Sequence, residues 1–328
     1  MAAGRGARTI RFADRVRPMP LNTGSVPLLA CDLGFMSKEG LDSSTSQFDG
    51  SPQAIEALKK GVVDMVQVNI SPVVEEVAKG AQFRVVWGSL HGNPLKVAPS
   101  ATPGVGIMLV SSLKLSKIDD LRGAKIGISL KGATNHFAVA SLLRKHSIDP
   151  ETGVRWVEGG TPFERVNKVI DGEIDATWTT SQTLVLFEDK KNAFRILADT
   201  KDFTDAGGMA FLVVVTRAEL VEDEPQTVLS AVKALVKAAR EFSQDQEAWV
   251  AGVTKRRPEM SRDSIVWAWQ QSRGHWPVNG RLDHDMVEEV VSTLAKSGQV
   301  PAVPSTAVRQ WVEMRFVDSA LKELGEWP

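Results

Sequence analysis

Tyrosine is absent from this 328-residue chain, and cysteine occurs once, as Cys31. One cysteine excludes an intrachain disulfide and any cysteine-cluster metal site. It leaves the compartment open, because secreted chains also occur without disulfides. Without tyrosine, aromatic ligand contacts fall to tryptophan, phenylalanine and histidine, and there are nine tryptophans. An excess of one charge is lacking too: 39 Lys plus Arg against 40 Asp plus Glu leaves −1. That balance gives no bulk attraction to nucleic acid or to an anionic membrane. No apolar run approaches the roughly 20 residues that span a bilayer. The opening MAAGRGART holds no apolar signal core. Two expectations about the compartment follow. The chain is cytoplasmic if it begins here, and periplasmic or at the cell surface if a signal segment has been removed.

Catalytic signatures are missing as well. No Walker loop, GxGxxG, HExxH, HxxxH or GxSxG occurs. The sequence therefore calls for no cofactor and no metal. Cys31 lies among apolar residues with no basic neighbour to favour a thiolate, which marks it as a small packing residue.

What is present is a repeated α/β pattern in a globular composition, 43% hydrophobic and 24% charged, with length enough for two cores. The organising stretch is 121–180, and it has a shorter counterpart at 42–71. Each runs strand, small-residue turn, helix, then Gly and a short apolar strand with Asp near its start: GVVDMVQ and GEIDATW. Strands are predicted at 9–13, 41–48, 62–68, 83–87, 104–110, 125–129, 154–157, 174–178, 194–197 and 209–215. Helices are predicted at 25–36, 53–60, 136–146 and 162–170, with a short one from Ser181. From about residue 225 the chain turns helical, at 226–242, 246–253, 261–270, 283–295 and 306–313. Alternating strand and helix predicts parallel sheets with helices on both faces. The boundaries expected are 1–103 plus 209–328 for one lobe with the C-terminal helices, and 104–208 for the other.

In such sheets ligands bind beyond the carboxyl ends of the strands. This rule selects the loops that follow strands and open helices, where backbone N–H groups are unpaired and Ser, Thr or Asn stands ready. The candidate ligand-binding residues are Asn22, Ser51, Asn69, His91, Thr134, Asn135, His136, Thr179 and Ser181 as hydrogen-bonding groups. Trp178, read at the end of its strand, is the candidate apolar wall. Ser51 and the Asn69 segment are read as helix caps, with Pro52 and Pro72 in the first turns. Asp64 and Asp175 fall at strand starts, away from that edge, and read as structural. Asp283 reads as a helix cap.

The runs SKIDDLRGAKIGISLKGATNHFAVASLLRKHSIDPETGVRWV, DGEIDATW, PLLACDLGFMSKEGLD and EALKKGVVDMV carry a family resemblance. Over roughly residues 9–242 the chain resembles solute-binding proteins of nitrate/sulfonate/taurine-type ABC transporters. The resemblance implies a two-lobed periplasmic-binding-protein type II fold with two interlobe crossings and hinge closure on a ligand. It implies an anionic or polar organic solute as ligand and an ABC permease as partner. The same fold resembles thiamine-pyrimidine synthases, aromatic sulfinate desulfinases and dihydroxyphthalate decarboxylases, so a cytoplasmic enzyme acting on an aromatic or heterocyclic acid is the alternative. The loop after the first strand, DRVRPMPLNTGS, lacks the nucleophilic cysteine of desulfinases. His91 and His136 are the acid–base candidates of that alternative. A ligand sensor that passes closure to a protein partner is a third expectation.

Overall fold

The structure, a computed structural model, describes residues 8–89, 107–131, 133–206, 212–272, 276–296, 298 and 300–327. The predicted loop residue His91 lies outside them. Two compact units emerge, one from described residues within 1–93, 211–289 and 303–328, the other from those within 94–210 and 290–302. Residues 290–302, which the sequence reading placed with the C-terminal helices of the first lobe, group with the second unit.

Along the first unit run β1 (Arg8–Asp14), α1 (Val26–Asp32), α2 (Phe35–Lys38), β2 (Leu41–Gln47), α3 (Ser51–Lys59), β3 (Met65–Asn69), α4 (Ile70–Ala78) and β4 (Phe83–Gly88). The predicted single helix at 25–36 is two helices. Gly34 sits at φ +77, and this left-handed residue ends one helix and redirects the chain into the next. Ser51 does not cap α3. It is the first helical residue, Gly50 holds the cap position, and no side chain bonds the cap. Asn69 is the cap residue of α4, again without a side-chain cap bond.

The second unit contributes β5 (Ile107–Ser111), β6 (Lys125–Ile128), α5 (Thr134–Lys145), β7 (Arg155–Glu158), α6 (Pro162–Ile170), β8 (Ala176–Thr180), α7 (Ser181–Leu184), β9 (Arg195–Ala198) and α8 (Thr200–Asp205). Thr161 and Glu164 close a capping box on α6, with Glu164 N–H donating to Thr161 Oγ1 at 3.2 Å and Thr161 N–H to Glu164 Oε2 at 2.6 Å. Because β8 begins at Ala176, Trp178 lies in mid-strand. Its ring packs on the core formed by Leu109, Ile126, Leu142 and Phe203. Trp178 is half-buried, so part of its ring packs on this core and part stays exposed.

β10 (Leu212–Arg217) returns to the first unit's sheet. Helices α9 (Ala218–Asp223), α10 (Pro225–Gln244), α11 (Gln246–Arg256), α12 (Arg262–Ser272), α13 (His284–Lys296), α14 (Ser305–Trp311) and α15 (Arg315–Leu324) follow. The first and last of these had no counterpart among the predicted helices. Val228, Val232, Leu235, Ala239 and Phe242 of α10 recur at three-to-four spacing and are buried. Asp283 does cap α13, accepting from Met286 N–H at 2.9 Å.

Each unit has a five-stranded sheet, in the orders β2-β1-β3-β10-β4 and β7-β6-β8-β5-β9. The sheets are mixed rather than parallel. β10 runs antiparallel to β3 and β4, and β5 runs antiparallel to β8 and β9. A parallel neighbour requires a crossover on the same sheet. β10 reaches its sheet after the whole of the second unit's segment, so no such crossover fixes its direction. The two sheets thus share one topology, with the reversed strand fourth in each order. The other four strands of each sheet end at a common edge.

Candidate functional site

At the first unit's carboxyl edge stand the ends of β1, β2, β3 and β4: Asp14, Gln47, Asn69 and Gly88. Asp14 pairs in register with Gln47 on one side and Gln67 on the other. Gln67 is fully buried and joins three segments. Its Nε2 donates to Asp14 Oδ2 and to the Gly24 carbonyl, both at 2.6 Å, while its Oε1 accepts from Ser89 Oγ at 2.8 Å. Burial pushes the Asp14 carboxyl up, opposed by Arg15 and by the bonds from Val16 and Gln67. Burial likewise pushes the Arg15 guanidinium down, opposed by Asp14. The two charges stand 3.7 Å apart, and Arg15 Nη1 is buried without a hydrogen bond.

The loop from Arg15 to the 3-10 turn at Thr23–Ser25 is pinned from several sides. Gln47 Nε2 donates to the Val16 carbonyl at 2.8 Å, and Arg257 Nη1 donates to the Met19 carbonyl at 2.6 Å. Trp249, buried on α11, donates from Nε1 to Ser25 Oγ at 2.8 Å. Ser25 Oγ in turn donates to the Asn22 carbonyl at 2.7 Å, and Asn22 Oδ1 accepts from Gly24 N–H at 2.8 Å. Asn22 is therefore part of a fixed turn. Beside it at this edge, Ser51 Oγ is buried with no hydrogen-bond partner, and Asn69 is buried at the end of β3.

In the second unit the carboxyl edge carries the starts of α5 and α7, opened by Thr134 and Ser181. Asn135 is buried, and its Oδ1 accepts from Ser129 Oγ at 3.1 Å. His136 is buried edge-on to Trp156, with ring centroids 4.7 Å apart. Burial pushes its imidazolium below the ordinary histidine value, opposed chiefly by Glu151. Thr179 is fully buried, and its Oγ1 has no hydrogen-bond partner.

Asn22, Ser51 and Asn69 thus gather at one edge of the first sheet. Thr134, Asn135, His136, Thr179 and Ser181 gather at the corresponding edge of the second. Sequence reasoning missed Asp14, Arg15, Gln67 and Ser89. The available signal was Gln67 itself, a polar residue set in the apolar run MVQV. Cys31, Asp64 and Asp175 are engaged in the fold. The Cys31 thiol is pushed up to about 12 by burial. Asp64 accepts from Arg11 N–H and Nε at 2.9 Å and from Arg11 Nη2 at 2.6 Å. Asp175 accepts from Lys125 N–H at 2.7 Å. Among the described residues no cluster of metal-ligating side chains occurs, and no helix is long and apolar enough to cross a membrane.

Residues 23–248 match the family model described as NMT1/THI5 like. A Bacillus subtilis (strain 168) protein carrying the name of an aliphatic sulfonates-binding protein is 24% identical over 289 residues, covering 87% of this chain and 80% of its own. A solved structure from Bordetella bronchiseptica RB50 superposes with a TM-score of 0.76 at 21% identity, covering 97% of this chain and 98% of that one. The alkanesulfonate-binding protein SsuA from Xanthomonas axonopodis pv. citri, bound to MOPS, superposes with a TM-score of 0.67 at 16% identity, covering 97% and 99%. The fold is the periplasmic-binding-protein fold of these neighbours.

Proposed function

Because the chain belongs to the NMT1/THI5-like family, we propose that it is the solute-binding component of an ABC-type importer. Its solute is a small polar organic molecule of the sulfonate kind, and its partner is the importer's permease. Named relatives bind aliphatic sulfonates and alkanesulfonates, which sets the class tested first. Delivery to a permease places the working protein outside the cytoplasmic membrane.

The observation that carries this reading is the matched pair of sheet edges. Each collects buried polar groups that no other side chain satisfies: Arg15 Nη1 and Ser51 Oγ in one unit, Thr179 Oγ1 in the other. A buried polar group left unpaired costs about 1–3 kcal/mol. Groups of this kind, gathered where strands of an α/β sheet end, suit hydrogen bonds to a ligand. They hold a solute by many directed contacts and need no covalent step. The site residues proposed are Asn22, Ser51, Asn69, Thr134, Asn135, His136, Trp178, Thr179 and Ser181, with Arg15 added; His91 lies outside the described residues.

A thermal-shift screen of sulfonates, aromatic carboxylates and nitrogen heterocycles tests the assignment, with each hit then followed for turnover. A sulfonate that raises the melting temperature and is recovered unchanged supports it. With that solute, His136→Ala and Thr134→Val should each weaken binding by about 1–3 kcal/mol. Unchanged affinity in both variants moves the site away from the start of α5.

A further inference from the structure

Arg165 is 2% exposed, yet it forms no ion pair with a carboxylate among the described residues. Its Nε donates to Thr177 Oγ1 at 3.3 Å, and its Nη1 donates to the Gly160 carbonyl. Nη2 has no hydrogen bond to a described residue. Burial pushes this guanidinium down to about 10, with Glu164 opposing. It therefore remains charged at neutral pH, and a buried charge without a counter-charge is costly.

The chain makes room for this cation. A Cβ on Gly127 would stand 2.6 Å from Ile174 Cδ1 and 3.2 Å from Arg165 Cδ, so the arginine stem crosses β6 over bare backbone and a side chain there would crowd it and Ile174. The stem leads the guanidinium toward Gly160, just past the carboxyl end of β7. Thr177 is already committed, since its Oγ1 donates to the Gly127 carbonyl at 2.8 Å. Two residues further along β8, on the same face and nearer the carboxyl edge, lies Thr179, whose buried hydroxyl has no partner. A fixed cation with a free N–H pair and an unpaired hydroxyl thus occur on one face of the second sheet.

We infer that Arg165 and Thr179 form an oxyanion subsite, with Arg165 Nη2 and Thr179 Oγ1 donating to the acidic group of the solute. This rests on the solute-binding reading above and deepens it by naming the residues that select for an anion. Thr177 and the Gly160 carbonyl hold the guanidinium plane, so that the fork meets a planar or tetrahedral oxyanion in one orientation.

The test uses the full chain labelled with 15N-arginine, the Arg165 Nε–H signal being assigned by its loss in Arg165→Lys. Methanesulfonate, acetate and inorganic phosphate are titrated separately, with potassium chloride as the ionic-strength control. The expected result is a saturable shift of the Arg165 signal by one of the three and none by chloride; which anion acts decides between a sulfonate, a carboxylate and a phosphate group. Thr179→Val should weaken that titration about tenfold, as loss of one charge-assisted partner implies, and Arg165→Lys should weaken the solute's thermal shift comparably. Far-UV circular dichroism checks that both variants fold. A signal unmoved by all three anions, or moved equally by chloride, overturns the subsite. A sulfonate-induced thermal shift obtained alongside that negative result would leave the solute-binding reading standing.

Discussion

Replacing Gln67 by leucine removes the residue that ties together the loop after β1, the Gly24 turn and the end of β4. Three groups lose their partner: Asp14 Oδ2, the Gly24 carbonyl and Ser89 Oγ. At about 1–3 kcal/mol for each buried group orphaned, the ceiling is high. Asp14 keeps the Val16 N–H at 2.8 Å and Arg15 at 3.7 Å, and leucine adds apolar burial. A net loss of about 3–5 kcal/mol follows. At a few degrees per kcal/mol for a unit of this size, the first unit's melting transition should fall by roughly 10 °C. Gln67→Glu separates charge from hydrogen bonding at the same position. It replaces an amide nitrogen lying 2.6 Å from Asp14 Oδ2 by a carboxylate oxygen. Two buried carboxylates at that spacing cannot both stay ionised, so the folded state takes up a proton that the unfolded chain does not hold. Their folded pKa is raised. The variant should therefore regain stability as pH falls from about 7 toward the unfolded carboxylate range near 4. Gln67→Leu, which removes one bond to the Asp14 carboxylate but adds no charge, should show a smaller gain relative to the wild type. Circular dichroism at 222 nm with tryptophan fluorescence reads both transitions. A leucine variant that melts with the wild type would refute the argument that this network is a stabilising hub.

Three further outcomes can be measured on the same instruments. Trp249→Phe keeps the ring's bulk but removes the donor to Ser25 Oγ. It should cost about 1 kcal/mol in stability and weaken solute binding severalfold through the loosened Asn22 turn; an unchanged affinity would make Trp249 a packing residue only. His136 has its folded pKa lowered, chiefly by burial. The unfolded chain thus binds the proton more readily, so this contribution is full above about pH 6.5 and declines as pH falls through that value. His136→Phe should flatten the fall in melting temperature between about pH 7 and 5.5, and an identical slope in both proteins would contradict the assignment. Asp64 has its folded pKa lowered: burial alone would raise it, and the Arg11 bonds outweigh that. Asp64→Asn should lower the melting temperature at pH 7 and narrow its gap to the wild type as pH drops below about 4, while a constant gap would argue against the Arg11 pairing.

Much of the architecture was readable from local pattern. Alternation and capping chemistry located every strand within a few residues, and the start of α6 at Pro162 was legible from Thr161-Pro162 with Glu164. The rule that ligands sit beyond carboxyl ends selected Ser51, Asn69, Thr134 and Thr179 as candidates without any motif, and each stands at or next to a strand's carboxyl end or opens the helix that follows it. The directions of β5 and β10 were not legible, because pairing is decided by partners distant in the chain. The strand carrying Trp178 was set two residues early, which turned a half-buried mid-strand residue into a strand-end residue. Ser51 looked like a cap, but Gly50 adopts the extended backbone of that position and leaves the hydroxyl unused. Trp249 and Ser25 are 224 positions apart, and no local pattern announces their bond. Arg165 was not singled out, because no local pattern in α6 shows that its stem lies over Gly127 of β6.

The claim that this chain binds a solute without transforming it is tested most directly by native mass spectrometry with the best sulfonate from the screen, followed by denaturing mass spectrometry of the released molecule. The account predicts one solute per chain, recovered at its original mass after prolonged incubation. A released molecule of altered mass, accumulating with time and protein concentration, would contradict it and make the chain an enzyme.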